Sequence, residues 1–116
     1  MSDDLAAQVE RDLLADSAAR PGGLTAWNHL TDRQRRRWIE RFVRAERRRP
    51  ALETRLADEP GLMEQWATFS PTEQREALST LDYLRWWPLT GWEWRRLVDA
   101  VRKMWAEYAA AARFER

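Results

Sequence analysis

One pattern, written three times along the chain, limits its fold more than any other feature. Trp27-Asn28-His29-Leu30-Thr31-Asp32-Arg33-Gln34 is the first copy, Trp66-Ala67-Thr68-Phe69-Ser70-Pro71-Thr72-Glu73 the second and Trp86-Trp87-Pro88-Leu89-Thr90-Gly91-Trp92-Glu93 the third. Each reads Trp-x-x-(Leu/Phe)-(Ser/Thr)-x-x-(Glu/Gln). The last four positions are a capping box, in which the hydroxyl accepts from the N3 amide and the Glu or Gln side chain accepts from the cap amide. The apolar residue ahead of the cap anchors the incoming chain as a hydrophobic staple, and the Trp lies beside the junction. The copies are 39 and 20 residues apart, which is not a solenoid period. They predict three helix starts built alike, and helices over about 32–48, 71–86 and 91–113.

The remaining segments also read as helix. Ser2 caps a first helix over about 3–18, with Asp3 and Asp4 in its first turn and Leu5, Val9 and Leu13 along one side. Arg20-Pro21-Gly22-Gly23 ends it and is expected to be the most flexible joint in the chain. This divides the chain into an N-terminal helix over 1–20, whose attachment the sequence leaves open, and a single helical domain over 24–116. Pro50 suits the first turn of a helix over about 51–57 and forces a break after Arg48 or Arg49. Asp58-Glu59-Pro60-Gly61 is a turn, followed by a short helix carrying Leu62, Met63 and Trp66. No run alternates polar and apolar residues as a half-buried strand does.

In the last helix Trp94, Leu97, Val98, Val101, Met104, Trp105 and Tyr108 form one stripe at spacings of three and four, as do Ala77, Leu78, Leu81 and Leu84 in the helix before it. The expected fold is an all-α bundle of five or six helices. Its scaffold is a C-terminal antiparallel hairpin (about 71–86 and 91–113) packed on the helix over 32–48.

That helix carries the chain's charge. Residues 32–49 sum to +6 (nine Arg, three acids), whereas 1–31 sum to −3 (two Arg, five acids) and 50–116 to −2 (eight Arg, one Lys, eleven acids). At about 100° per residue, Trp38, Ile39, Phe42, Val43 and Ala45 share one face. Arg33, Arg36, Arg37, Arg41, Arg44, Arg47 and Arg48 crowd the other, interrupted only by Glu40. With nineteen Arg to one Lys in the whole chain, residue type alone carries little weight; the clustering on one face is the signal. Like charges four apart repel by roughly 0.2–0.5 kcal/mol per pair, and a polyanion or an acidic partner surface would relieve that.

Several function classes fall away. No cysteine is present, which removes disulfides, thiolate metal sites and cysteine nucleophiles. The one histidine, His29, precedes a helix cap with no nucleophile beside it. There is no glycine-rich phosphate loop and no paired metal-ligand spacing. An enzyme, a metal, a cofactor and a small-molecule substrate are therefore not expected. Met1-Ser2-Asp3-Asp4 leads to no apolar segment, and no stretch approaches the ~18 apolar residues of a spanning helix. A cytoplasmic protein without a membrane partner is expected.

The expected function is a small non-enzymatic binding protein, an accessory factor or inhibitor within a nucleic-acid-handling complex. Its contact surface would be Arg33, Arg36, Arg37, Arg41, Arg44, Arg47 and Arg48, and its partner nucleic acid or an acidic protein surface. The alternative is an adaptor or homo-oligomer docking through the Trp86–Trp94 aromatics, with Tyr83, Trp86, Trp87 and Trp92 as contacts and no nucleic acid. Trp and Arg are the residues most enriched at interface hot spots.

Overall fold

The computed structural model describes residues 2–80 and 91–114, with side chains over 4–80 and 94–110. The elements are α1 (Ser2–Ala18), α2 (Gly23–His29), α3 (Asp32–Ala45), a 3-10 turn (Glu46–Arg48), α4 (Arg49–Leu56), α5 (Pro60–Thr68), α6 (Pro71–Thr80) and α7 (Gly91–Phe114). The fold is an all-α bundle, and no strand occurs among the described residues. None of their helices is long and apolar enough to cross a membrane. The third copy of the capping pattern lies outside the described residues up to Thr90, as do Leu81 and Leu84.

The first two copies are capping boxes. Gln34 N donates to Thr31 Oγ1 (3.1 Å) and Thr31 N to Gln34 Oε1 (2.8 Å); Glu73 N donates to Ser70 Oγ (3.2 Å) and Ser70 N to Glu73 Oε1 (2.9 Å). The pattern also ends the helix before it. Trp27 sits in the last turns of α2 and Trp66 in those of α5, and the next apolar residue, Leu30 or Phe69, is an extended C-cap (ψ 139° and 141°). The carbonyl of each Trp accepts from the amide of that C-cap residue (3.2 Å each) and takes a further bond from the side chain eight residues on: Arg35 Nη2 donates to Trp27 O (2.8 Å) and Gln74 Nε2 to Trp66 O (3.0 Å). Each of these two copies is thus a complete helix–corner–helix, and α2 is a helix that the start signals alone do not predict.

α1 packs on α2, α3 and α6. Val9 and Leu13 are buried with Ala26, Trp27, Leu30, Phe42, Met104 and Tyr108 in one half of the core. The Ser17 hydroxyl donates to Leu13 O (2.7 Å) and shares a hydrogen bond with the Tyr108 hydroxyl (3.1 Å). The joint between α1 and α2 is a tight hydrogen-bonded turn: Arg20 N donates to Ser17 O and Gly23 N to Arg20 O, both at 3.0 Å. Gly22 takes φ 74°, and a Cβ on Gly23 would lie 2.0 Å from Ser17 O, so both positions need glycine.

The other half of the core gathers Ala45, Leu52, Leu56, Trp66, Ala77, Leu78, Trp94, Leu97 and Val101. α6 and α7 run antiparallel, with Trp105 Nε1 donating to Glu73 near the start of α6 (3.3 Å) and Trp94 and Leu97 packed with Leu78 near its end. α6 is buried far beyond its apolar stripe, since Thr72, Arg75, Glu76 and Ser79 are enclosed along with Ala77 and Leu78. The bundle is therefore built around a polar helix.

Candidate functional site

The basic segment is shorter as an α-helix than its sequence suggests. α3 ends at Ala45 and passes through the 3-10 turn into α4, where Pro50 occupies the first turn. Pro50 has no N–H to give the Glu46 carbonyl, so regular α-helix cannot run through this point. Arg47 and Arg48 consequently leave the register of the stripe: Arg47 is exposed and Arg48 half-buried, and both already make contacts within the protein.

Within α3 the arginines divide by angle. Taking Arg33 as zero, Arg36, Arg37 and Arg44 fall at about −60°, +40° and +20°, with Glu40 at about −20°. These four arginines are exposed and make no ion pair or side-chain hydrogen bond among the described residues. Glu40 is exposed too and is not within ion-pair distance of Arg36 or Arg44. Arg35, at about 200°, lies on the apolar side; it stacks over Trp27 (4.8 Å to the ring centroid) and closes the α2 carboxyl end.

Arg41, at about +80°, lies at the edge of the stripe and turns inward. Its Nη2 donates to Glu76 Oε1, its Nε to Ser79 Oγ (3.0 Å), and its guanidinium sits 5.4 Å from the Trp38 ring centroid. Of the seven expected contact residues, Arg33, Arg36, Arg37 and Arg44 form one open face. Arg41 bridges to the interior, and Arg47 and Arg48 belong to the turn beyond. Among the aromatic candidates, Tyr83, Trp86 and Trp87 lie outside the described residues; Trp92 lies in the first turn of α7, its side chain likewise outside them.

The chain's sequence gives no direct sign of the ionic interior behind this face. Arg75, with a side chain 5% exposed, donates from Nη1 to Asp12 Oδ2 (2.6 Å) and from Nε to Glu46 Oε1 (2.8 Å), joining α6 to α1 and to the 3-10 turn. Arg49 forks onto Glu46 through Nε and Nη2 (2.8 Å each) and reaches Glu53 (3.1 Å) and Gln74 (2.8 Å) through Nη1. Burial pushes the Glu46 carboxyl up, but the hydrogen bonds from Arg49 and Arg75 outweigh it and hold the group below the usual carboxylate range. The bond to Glu46 raises Arg49 against the opposing effect of burial. Burial likewise raises the Tyr108 hydroxyl, against the Ser17 hydrogen bond and the Arg35 charge.

Glu76 is the exception in this network. Its Oε1 is held by Arg41, while Oε2 is buried with no hydrogen-bond partner. Burial pushes the carboxyl up to about 7, Arg41 pulls it down, and the Glu107 charge adds to the rise. It lines a cleft of about 360 Å³ between α3, α6 and α7, with Arg41, Thr80, Arg96, Asp99, Ala100, Lys103 and Glu107. Among the described residues no serine, histidine or cysteine lines this cleft. Among the described residues no group of three His, Cys, Asp or Glu side chains is placed to hold a metal ion. His29 is exposed at the end of α2. No protein family, curated protein or solved structure matches this chain.

Proposed function

We propose that this protein is a non-enzymatic nucleic-acid-binding factor, an accessory or inhibitory component of a nucleic-acid-handling complex, which holds the phosphate backbone through Arg33, Arg36, Arg37 and Arg44. One observation carries the reading: these four stand together on one exposed helix face and make no ion pair or side-chain hydrogen bond among the described residues. Arg35, Arg41, Arg49 and Arg75 are each taken up by a carboxylate, a carbonyl or an aromatic face. The four exposed ones stand within about 100° of arc and about 16 Å of helix rise, with Glu40 alone among them. Arginine forks phosphate oxygens in two parallel hydrogen bonds, and a helix fixed at its start by a capping box presents the stems of such forks on an ordered backbone.

Three or four phosphate contacts would give a log–log salt slope of roughly −3 on duplex DNA. The test is binding of the full chain to a 20-base-pair duplex and to a single strand of equal length, titrated with salt. Arg36→Glu, Arg37→Glu and Arg44→Glu together should abolish binding without unfolding the helix, because none of the three holds anything inside the protein. A triple variant that binds like the parent overturns the proposal. Arg41 is left intact in this test, since replacing it would also strand Glu76.

A further inference from the structure

Arg41 belongs to two places at once. Its stem leaves α3 beside the exposed arginines, one helical turn from Arg37 and from Arg44, and its side chain is 39% exposed. Its charge nevertheless points inward to Glu76, whose side chain is only 4% exposed. Glu76 meets a mixed set of charges. α3 contributes Arg41; α7 contributes Arg96, Asp99, Lys103 and Glu107; its own helix contributes, among the described residues, the uncharged Ser79 and Thr80. The acids of α1 and of the 3-10 turn serve other faces of α6, with Asp12 and Glu46 on Arg75 and Asp16 on the Thr72 amide.

Resting on the reading of α3 as a phosphate-binding face, we propose that Arg41 is shared between that face and Glu76. Uptake of one proton by Glu76 frees the Arg41 guanidinium for a bound phosphate, and phosphate binding in turn drives that uptake. The geometry provides both end states. With Glu76 ionised, Arg41 is its only hydrogen-bonding cation among the described residues and must stay; an ionised carboxylate buried without a partner is strongly disfavoured. With Glu76 protonated, the buried Oε2, which now accepts nothing, carries the proton and has Asp99 and Glu107 in the same cleft. Arg41 then keeps Ser79, the Trp38 face and the Oε1 carbonyl of the acid, all of them neutral, and a phosphate oxygen outside is the stronger partner.

The proton comes from solvent, and no other bond changes. Because the carboxyl titrates near neutrality, the exchange falls in the physiological range. Linkage makes the coupling reciprocal: a ligand that binds more tightly when Glu76 is protonated must raise proton uptake when it binds.

The experiment measures binding of the same 20-base-pair duplex to the full chain at pH 6, 7 and 8 and constant ionic strength. In parallel, the Arg41 Nε–Hε resonance is followed by NMR in the free protein over that range. Binding should be about fivefold or more tighter at pH 6 than at pH 8, with the salt slope steeper by roughly 0.9 for one added phosphate. Glu76→Gln should bind alike at every pH with the steeper slope, and Arg41→Gln alike at every pH with the shallower one. His29→Gln, which removes the one imidazole of the chain, must retain the pH dependence. The Arg41 resonance should move with a midpoint near that of Glu76. A pH dependence that survives in Glu76→Gln, or an Arg41 resonance that ignores the Glu76 titration, overturns the inference. Absence of duplex binding at every pH overturns instead the arginine-face reading, and with it the phosphate half of the exchange, while the Arg41 resonance still decides the internal half.

Discussion

Replacing Arg75 with Met tests whether α6 is held in the centre of the bundle by its ion pairs. Met matches the aliphatic stem of Arg75 and removes the guanidinium, so the change isolates the charge from most of the packing. Two carboxylates lose a partner: Asp12, 28% exposed, and Glu46, 16% exposed. Breaking a buried pair from one side usually costs 3–5 kcal/mol, because the stranded charge keeps its desolvation penalty. Here the low end applies, since Glu46 retains both hydrogen bonds from Arg49 and Asp12 reaches water. The expected loss is about 3 kcal/mol in urea unfolding at pH 7. With an unfolding entropy of about 2.1 cal/mol/K per residue, that corresponds to a fall of roughly 12 °C in Tm for this chain length. Adding Asp12→Asn should recover part of the loss by removing one stranded charge, and Arg75→Lys should rescue poorly because an ammonium cannot fork two acids on different helices. A loss under about 1 kcal/mol for Arg75→Met would place the pair in the class of exposed salt bridges and refute the argument that it anchors α6.

Three further predictions follow from the same contacts. Leu13→Ala, at a side chain 1% exposed, should cost about 2–5 kcal/mol in urea unfolding; a loss below 1 kcal/mol would mean that α1 contributes little to the core. Gly23→Ala should cost about 1–3 kcal/mol, because its Cβ would meet the Ser17 carbonyl at 2.0 Å, whereas Gly22→Ala meets open space and should cost about 1–2 kcal/mol for its positive φ alone. Glu76 makes stability fall as pH rises. Its folded carboxyl titrates near 7 against an ordinary 4.5, so between those values the folded chain holds a proton that the unfolded chain has lost. The cost of ionising it grows through that window to roughly 3 kcal/mol above pH 7. Unfolding of Glu76→Gln between pH 5 and 8 should lack that slope and leave the variant more stable than the parent at pH 8; a parallel profile would refute the assignment.

What the sequence made legible was local. Thr31 with Gln34 and Ser70 with Glu73 are contacts across three residues, so the spelling of the chain suffices to place the starts of α3 and α6. The corner on the other side of each cap was written in the same letters, because Trp66 ends α5 and Trp27 stands in the same position of its copy; reading the pattern as an end as well as a start finds α2. The burial of α6 is a different matter. Arg75 and Glu76 look like surface residues in any window of sequence, and only the arrival of Asp12 from 63 residues away and of Arg41 from 35 makes their enclosure stable. The same holds for Arg41 itself: its position at the rim of the stripe is visible on a helical wheel, but the partner that draws it inward is not.

The distribution of arginine explains how a chain with a net charge of only +1 can present a strong local field. Nineteen arginines and one lysine are matched by nineteen acids, yet the acids are not spread evenly among them. Glu46 alone serves both Arg49 and Arg75, and Asp12 and Glu76 are likewise spent on Arg75 and Arg41. Each carboxylate used there is one that cannot screen α3, where Glu40 is left to face four exposed arginines. An interior built on ion pairs therefore polarises the surface as a by-product, and within a Debye length of about 8 Å at physiological salt an approaching phosphate senses that face and not the net charge. Arg41 stands where the two economies of charge meet, which is why its partner inside, Glu76, is the residue whose protonation should be felt outside.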